Sequence, residues 1–523
     1  MKNCKWADVP YETWDITKKS VIGSNGIVVA QEIEAANVGA MVLRDGGNAV
    51  DAAVATALAL CVTEPWMSGL GGGGFMLIYS ADKRSVRAVD FGMIAPSQLD
   101  PADYPLTGEI GKDLFGWPAV KNDANLHGAK SIAVPGAVAG YSLAASEFGR
   151  KSWSELLKPA IYLAERGHRK TWWTTLNIAA EASLLALYDQ SKSDWLPGGV
   201  IPTALAGPED SYLNLDKLAS TLRTLSQYGP EYFYNGAIAE EITNDVRAAG
   251  GSLSVADFHN YSARIREPLV CSRGDANYNL IPGYSAGPTF ANALAQLTDL
   301  QKGMSKAEKH TVIANALISA YRDRFETMGH AGDIGDRSCT THINTVDSKG
   351  NMVVMTTTLL SRFGSRFVSP STGVLMNNGI NWFDPRPGKP NSIAAGERPL
   401  SNMCPLMAIK DEKVVFGLGA SGGRKILPAV FQVATYIEDF GMNLEKALAY
   451  PRIDVSTADM IVCDSRFDKK TKASLEQLGT VKEWMPTTFP SVYAVPSGLQ
   501  ILDDQMAIGA AHPLSPLAGS VSA

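Results

Sequence analysis

Cys339-Thr-Thr-His-Ile-Asn-Thr-Val-Asp347, then Ser348-Lys-Gly350, then Asn351-Met-Val-Val-Met-Thr-Thr-Thr358-Leu359, is the stretch from which the rest of the chain is read. Thr340 to Asp347 and Met352 to Leu359 are rich in β-branched residues and flank a short polar turn, which predicts an antiparallel hairpin. If the pairing is symmetric about Lys349, Thr340 faces Thr358 across the ladder. Directly opposed Cβ atoms sit about 4.5–5.5 Å apart, near enough for one hydroxyl to bond the other. Two other readings stand beside this one. Threonine favours strands, so a threonine-rich ribbon needs no chemistry to explain it. The register also slips by one residue if Gly350 carries a bulge.

Working outward, Gln31 to Arg44 reads as a helix closed by Gly46 and Gly47. Asn48 is placed to cap a second helix, Ala49 to Thr63, stopped by Pro65 and apolar on nearly every side. Helices of that kind are buried between layers. Phe75 to Tyr79 and Ser85 to Phe91 read as strands. The middle of the chain is mostly helical, at Ser152 to Arg166, Ser220 to Gln227, Ala237 to Ala249 and Thr311 to Phe325. Beyond the hairpin, Lys413 to Gly419 is a strand, Ile426 to Phe440 an apolar helix and Leu444 to Ala449 a short one. Strands separated by paired helices suggest layers of helix and sheet.

The chain has 523 residues, 45% hydrophobic and 19% charged, which excludes intrinsic disorder and supplies a large core. That length fits two to four domains or one large layered unit. The net charge of −6, with no basic run, argues against a nucleic-acid partner. Met1 to Lys19 has no apolar core of a signal peptide, and no run of 18 apolar residues offers a membrane span. Six scattered cysteines without a CxxC pair read as free thiols of a reducing, cytoplasmic compartment. The seven dispersed histidines show no metal-ligand spacing.

Two further motifs stand in the chain. Gly69 and Gly71 to Gly74 fail as a phosphate cradle, because a strand rather than a helix follows them, and a close backbone crossing accounts for them better. Gly419-Ala-Ser421-Gly-Gly423 fits G-x-S-x-G between a strand and a helix. His512 lies downstream, with Asp454, Asp459 and Asp464 between, so a serine hydrolase acting through Ser421 is the rival reading.

Ordered blocks across most of the chain resemble the γ-glutamyltranspeptidase family. They are Asp45-Gly-Gly-Asn-Ala-Val-Asp-Ala-Ala53, Glu64-Pro65, Ser68 to Phe75, Val134-Pro-Gly136, Phe233-Tyr-Asn-Gly236, Gly250-Gly251 with Asp257 and Tyr261, Asp323-Arg324, Thr340-Thr-His342, Arg398-Pro-Leu-Ser401 and Gly422-Gly423. The resemblance implies an α+β fold, the four-layer αββα sandwich of the N-terminal-nucleophile hydrolases. It implies a precursor that cuts itself between Cys339 and Thr340 into a large chain, 1–339, and a small chain, 340–523. Thr340 would then be the nucleophile, its own α-amine the base, Thr358 the orienting hydroxyl, and Gly422 and Gly423 the oxyanion hole. Cys339 as leading residue is the alternative. Ser401 and Asn402 fall where the family has a Ser-Ser pair near the substrate carboxylate. No cofactor and no metal are implied; the partners are a small-molecule amide and the two chains themselves, with a dimer of heterodimers as the larger assembly.

The departures concern the substrate. Gly92 stands where glutamyl enzymes carry a carboxylate-binding Arg; Gly379 and Trp382 stand where they have a Glu or Gln and an Asp; Leu360 replaces an Asn. The family's recognition of an amino-acid head group is thereby lost. An altered acyl specificity is expected, oxamate-type or cephalosporin-acylase-like, with genuine γ-glutamyl hydrolysis or transfer on glutathione-like substrates as the alternative. Arg362 or Arg424 is a replacement carboxylate anchor, or else a structural arginine. The connection from Arg324 to Thr340 is short for a glutamyl member, leaving little slack for self-cleavage.

Overall fold

The computed structural model describes residues 16–111, 117–204, 211–297, 300–301, 303–328, 338–489, 493–502 and 506–523. Two seven-stranded sheets, each antiparallel throughout, form its centre. The first runs in the order Gly519–Ser522, Gly26–Ala30, Ser338–Asp347, Met352–Ser361, Gly73–Ser80, Ser85–Phe91, Arg264–Arg266. The second runs Val21–Gly23, Ala507–Ala511, Val495–Ile501, Lys413–Ser421, Leu406–Lys410, Ala276–Leu280, Leu269–Arg273.

The side-chain period of two explains how the layers stack. Along the hairpin, Val353, Met355 and Ile343 enter an apolar cluster with the helix Ala49–Thr63. Their neighbours Met352, Val354 and Val346 enter a different cluster, shared with Met407, Val414 and Leu499 of the second sheet. Odd-numbered hairpin residues therefore face helices and even-numbered residues face the opposite sheet. On the far side of the second sheet, Tyr278, Phe416 and Leu418 pack against the helices Gly287–Ala295, Lys306–Asp323 and Ile426–Glu438. The order of layers is helix, sheet, sheet, helix, as the resemblance implied.

The helix Ala49–Thr63 has the bounds its sequence predicts, and all of its residues are buried. Asn48 Oδ1 accepts the amides of Val50 and Asp51, while an Asp51 carboxylate oxygen accepts the Asn48 amide at 2.8 Å. Such a reciprocal cap contributes about 1 kcal/mol and fixes where the helix starts. The close-crossing reading of the glycine cluster also holds. A Cβ on Gly72 would meet the Thr358 carbonyl at 2.4 Å, and one on Gly74 the Thr356 carbonyl at 2.2 Å. The neighbouring strand can approach the hairpin only without side chains there. Several helices begin earlier than the sequence suggested, among them Asp216–Tyr228 and Lys306–Asp323. Among the described residues no helix is long and apolar enough to cross a membrane.

Candidate active site

The symmetric register holds from Thr341, which faces Thr357, to Val346, which faces Met352. The slip does occur, but not at Gly350. Cys339 faces Leu360, so the ladder shifts between Cys339 and Thr341, and the extra residue is on the opposite strand, where Thr358 and Leu359 together oppose Thr340. A bulge leaves its extra residue unpaired and re-aims the side chain. Thr340 Oγ1 and Thr358 Oγ1 nonetheless lie 3.3 Å apart, both deeply buried. The Thr358 hydroxyl also accepts the amide of Leu360 at 2.8 Å. To make that bond Leu360 adopts φ +83°, left-handed backbone that a bulky side chain rarely takes and that costs on the order of 1–3 kcal/mol.

Around this pair the even face holds His342. It stands 2.8 Å from the Thr356 hydroxyl through Nδ1 and 3.1 Å from Asn344 Oδ1 through Nε2, and Asn344 reaches Ser497 of the second sheet at 3.2 Å. With Asn344 Oδ1 accepting, Nε2 carries the proton and Nδ1 accepts from Thr356. Burial pushes the imidazole down to about 3, so it stays neutral. On the odd face Thr341 donates to Glu64 at 2.7 Å, and Thr357 lies 2.8 Å from the Tyr141 hydroxyl. Burial raises Glu64 to about 8, against the Thr341 hydrogen bond and with the nearby Glu32 adding to the rise. Both strands of the hairpin are thus held from behind by polar contacts set inside an apolar layer.

Gly422 and Gly423 follow the strand Lys413–Ser421 and open a 3₁₀ turn, Gly423–Lys425, that leads into the helix Ile426–Glu438. This turn packs against the hairpin strand that bears Thr340. Gly422 has φ +135°, and a Cβ there would stand 2.7 Å from the Ala494 Cα. Only glycine fits. The first amides of a helix lack intrahelical acceptors, so the turn presents donors suited to an oxyanion.

The serine rival is not assembled. Ser421 accepts a hydrogen bond from the Gln31 amide. His512 lies 3.1 Å from an Arg452 nitrogen and takes the Leu514 amide on Nδ1, and burial with Arg452 beside it holds its pKa well below the usual range. Asp454 bonds Ser456 and Asp464 pairs with Arg466 at 2.7 Å. No base reaches the Ser421 hydroxyl among the described contacts.

The substrate-side residues separate into two groups. Gly379 and Trp382 form a buried 3₁₀ turn, and Trp382 joins Leu360, Met93, Trp117 and Met403 in one apolar cluster. A Cβ on Gly379 would meet Met93 Sδ at 2.9 Å. Beside Gly92, Arg398 donates to Asp90 at 2.7 Å. Arg362 lies 4.0 Å from Glu181 and over the Phe489 ring at 5.3 Å. Ser401 and Asn402 are held by Arg324, whose Nη2 donates to the Ser401 carbonyl at 2.9 Å and to Asn402 Oδ1 at 3.2 Å. Burial lowers the Arg324 guanidinium to about 10. Arg324 and Glu64 stand out in the sequence only as parts of motif blocks; their partners lie far away in the chain and carry no local signal. Cys339 is placed by its backbone pairing alone.

A buried threonine pair at a strand bulge, a glycine turn beside it and a four-layer αββα frame define the class of the N-terminal-nucleophile amidohydrolases and acyltransferases. A family profile described as Gamma-glutamyltranspeptidase matches residues 35–335 and 325–500, and the chain belongs to that family. It is 33% identical over 478 residues to the Acylase ACY 1 proenzyme of Pseudomonas sp. (strain V22), covering 83% of each chain. It is 31% identical over 536 residues to the Glutathione hydrolase proenzyme of Escherichia coli (strain K12), covering 91% of this chain and 90% of that one. In fold it is similar to a cephalosporin acylase from Bacillus halodurans, with TM-score 0.82 at 22% identity, covering 98% and 99% of the two chains. The names of the Pseudomonas acylase and the Escherichia coli glutathione hydrolase describe those two proteins as proenzymes.

Proposed function

We propose that the chain cuts itself between Cys339 and Thr340 into a large chain, 1–339, and a small chain, 340–523, and that Thr340 then cleaves amides through an acyl-enzyme. The observation that carries this is the Thr340–Thr358 hydroxyl pair at 3.3 Å on a bulge facing the second sheet. Scission frees the Thr340 α-amine, whose reference pKa is about 7.7–8.0, so a good part of it is neutral near pH 7. That amine takes the Oγ1 proton as Oγ1 bonds to the substrate carbonyl carbon. Thr358 orients the attacking oxygen, and the amides of Gly422 and Gly423 receive the oxyanion. Each such donor is worth about 3–4 kcal/mol in the transition state. The C–N bond breaks, the leaving amine departs with the proton, and water or an acceptor amine releases the acyl group.

The acyl group we infer is not glutamyl. Gly92, Gly379, Leu360 and Trp382 place glycine or apolar surface where an amino-acid head group would need an Arg and an Asp. A cephalosporin-acylase-like or oxamate-type amidase agrees with this better than a glutathione-type enzyme. The described cysteines Cys61, Cys271, Cys404 and Cys463 are free thiols, in keeping with a reducing, cytoplasmic setting. We extend the proposal to a dimer of the two-chain protomer.

The test is a denaturing gel of wild type and Thr340→Ala beside an amide-hydrolysis assay. Wild type is expected to give fragments of about 36 and 20 kDa, in proportion to chain length, and the variant a single inactive chain. Amide turnover by an uncut wild-type chain refutes the proposal, as does a small chain that begins with Cys339.

A further inference from the structure

Resting on the reading of Thr340 as nucleophile, we infer that Gln31 and Ser421 are positioning residues, whose hydrogen bond across the two sheets holds the oxyanion turn in register with the attacking threonine. Thr340 belongs to the first sheet, whereas Gly422 and Gly423 extend a strand of the second. Donors serve an oxyanion only within about 2.7–3.1 Å of it. The apolar packing that joins the two sheets is non-directional and cannot set so fine a distance. The strand Lys413–Ser421 is also least supported at the end that bears the turn. Its pairing with Leu406–Lys410 stops at Leu418, so among the described residues Gly419, Ala420 and Ser421 have a strand partner on one edge only, in Val495–Ile501.

Gln31 reaches that end from the first sheet. It stands between the strand Gly26–Ala30 and the helix Ile33–Arg44, whose start is fixed by Glu32 accepting the Ala35 amide at 2.9 Å. From this rigid corner the Gln31 side-chain amide donates to Ser421 Oγ, with both residues buried. Ser421 directly precedes Gly422. Two further contacts cross the sheets beside this one. The His342 ring lies so close to Gly419 that a Cβ there would collide with it, and Asn344 reaches Ser497. Neither of them ends next to the oxyanion glycines. Burying two bonded polar groups gains little stability over an apolar pair of the same shape. What the bond adds is direction, and the serine of Gly419-Ala-Ser421-Gly-Gly423 gains a role without being a nucleophile.

The experiment measures kcat, KM and melting temperature of the self-cleaved enzyme on p-nitrophenyl acetate, with Thr340→Ala as the background rate. The acetyl group is too small to need a recognition pocket, so the oxyanion step is read apart from acyl specificity. Gln31→Met and Ser421→Ala are each expected to lower kcat by about 10- to 100-fold with little change in KM, the effect of a misplaced rather than a missing donor. Each single variant also melts lower, because one buried polar group loses its partner. The double variant Gln31→Met/Ser421→Ala leaves neither group unpaired. Its melting temperature should return toward wild type while its kcat stays as low as in the single variants. A bond that served stability alone would recover both. If a single variant fails to fold or to cut itself, the double variant decides. A wild-type kcat in any of the three, losses that multiply in the double variant, or a double variant that does not fold overturns the inference while leaving Thr340 chemistry standing. A wild-type rate no higher than that of Thr340→Ala strikes the proposed function itself, and this inference with it.

Discussion

Glu64 accepts the hydroxyl of Thr341 at 2.7 Å from within the helix layer, one residue along the strand from Thr340. The contact joins the end of the buried helix Ala49–Thr63 to the strand that carries Thr340, and the carboxyl is buried. Burial raises its pKa to about 8, so the folded protein holds a proton that an unfolded Glu, near 4.3, gives up. Stability is therefore fully present below about pH 4.3, falls as pH rises toward 8, and then levels off.

The first prediction follows from that sign. Thermal melting of wild type should show a decline on the order of a few kcal/mol between pH 5 and 8.5 that Glu64→Gln lacks. The amide keeps an acceptor for Thr341 but does not titrate. Parallel pH profiles for the two proteins would contradict the assignment.

Thr358→Ala should lower amide turnover by about 10²-fold with little change in KM, because the lost hydroxyl orients the attack rather than binds substrate. Thr358→Ser should recover much of the rate. Steady-state kinetics on both variants decide; an unaffected kcat in the alanine variant would remove Thr358 from the mechanism.

At Gly422, alanine places a Cβ 2.7 Å from the Ala494 Cα at φ +135°. The turn must shift, and with it the oxyanion donors, so kcat should fall by about 10²–10³-fold. Circular dichroism should show the fold retained, with a lower melting temperature. Full activity in Gly422→Ala would place the oxyanion elsewhere.

Leu360 inverts a common order of substitution. Ordinarily glycine is less stable than alanine at the same site by roughly 0.5–1 kcal/mol. Here Leu360→Ala loses burial and keeps the strained φ, whereas Leu360→Gly loses slightly more burial and releases the strain. Denaturant unfolding should find the glycine variant at least as stable as the alanine variant.

The hairpin was readable from sequence because its two strands are adjacent and share one turn, so the register could be counted from Lys349. The position of the slip was not. Gly350 has the freedom for a bulge, yet the irregularity sits at Thr358 and Leu359, opposite Thr340, where the Leu360 amide turns inward onto the Thr358 hydroxyl. The helix Ala49–Thr63 declared itself through Asn48 and Pro65. The strands Val495–Ile501 and Ala507–Ala511 did not, since they are rich in glycine, alanine and serine and become strands only by pairing with Lys413–Ser421 and with each other. Arg324 and Glu64 were hidden for a related reason: 77 residues separate Arg324 from Ser401 and 277 separate Glu64 from Thr341.

The order of strands in the first sheet has a consequence if the chain is cut before Thr340 as proposed. Gly26–Ala30 lies between Gly519–Ser522 and the hairpin, and the hairpin in turn is flanked by Gly73–Ser80, so strands from before and after residue 340 are inserted between one another in the ladder. Neither product of scission owns a complete sheet. The two polypeptides are interdigitated like the teeth of a zip, and parting them would mean melting both at once. Renaturation of the matured enzyme is then a bimolecular event that dilution defeats, whereas the unbroken precursor folds alone. Such a cut would make folding effectively a one-way act.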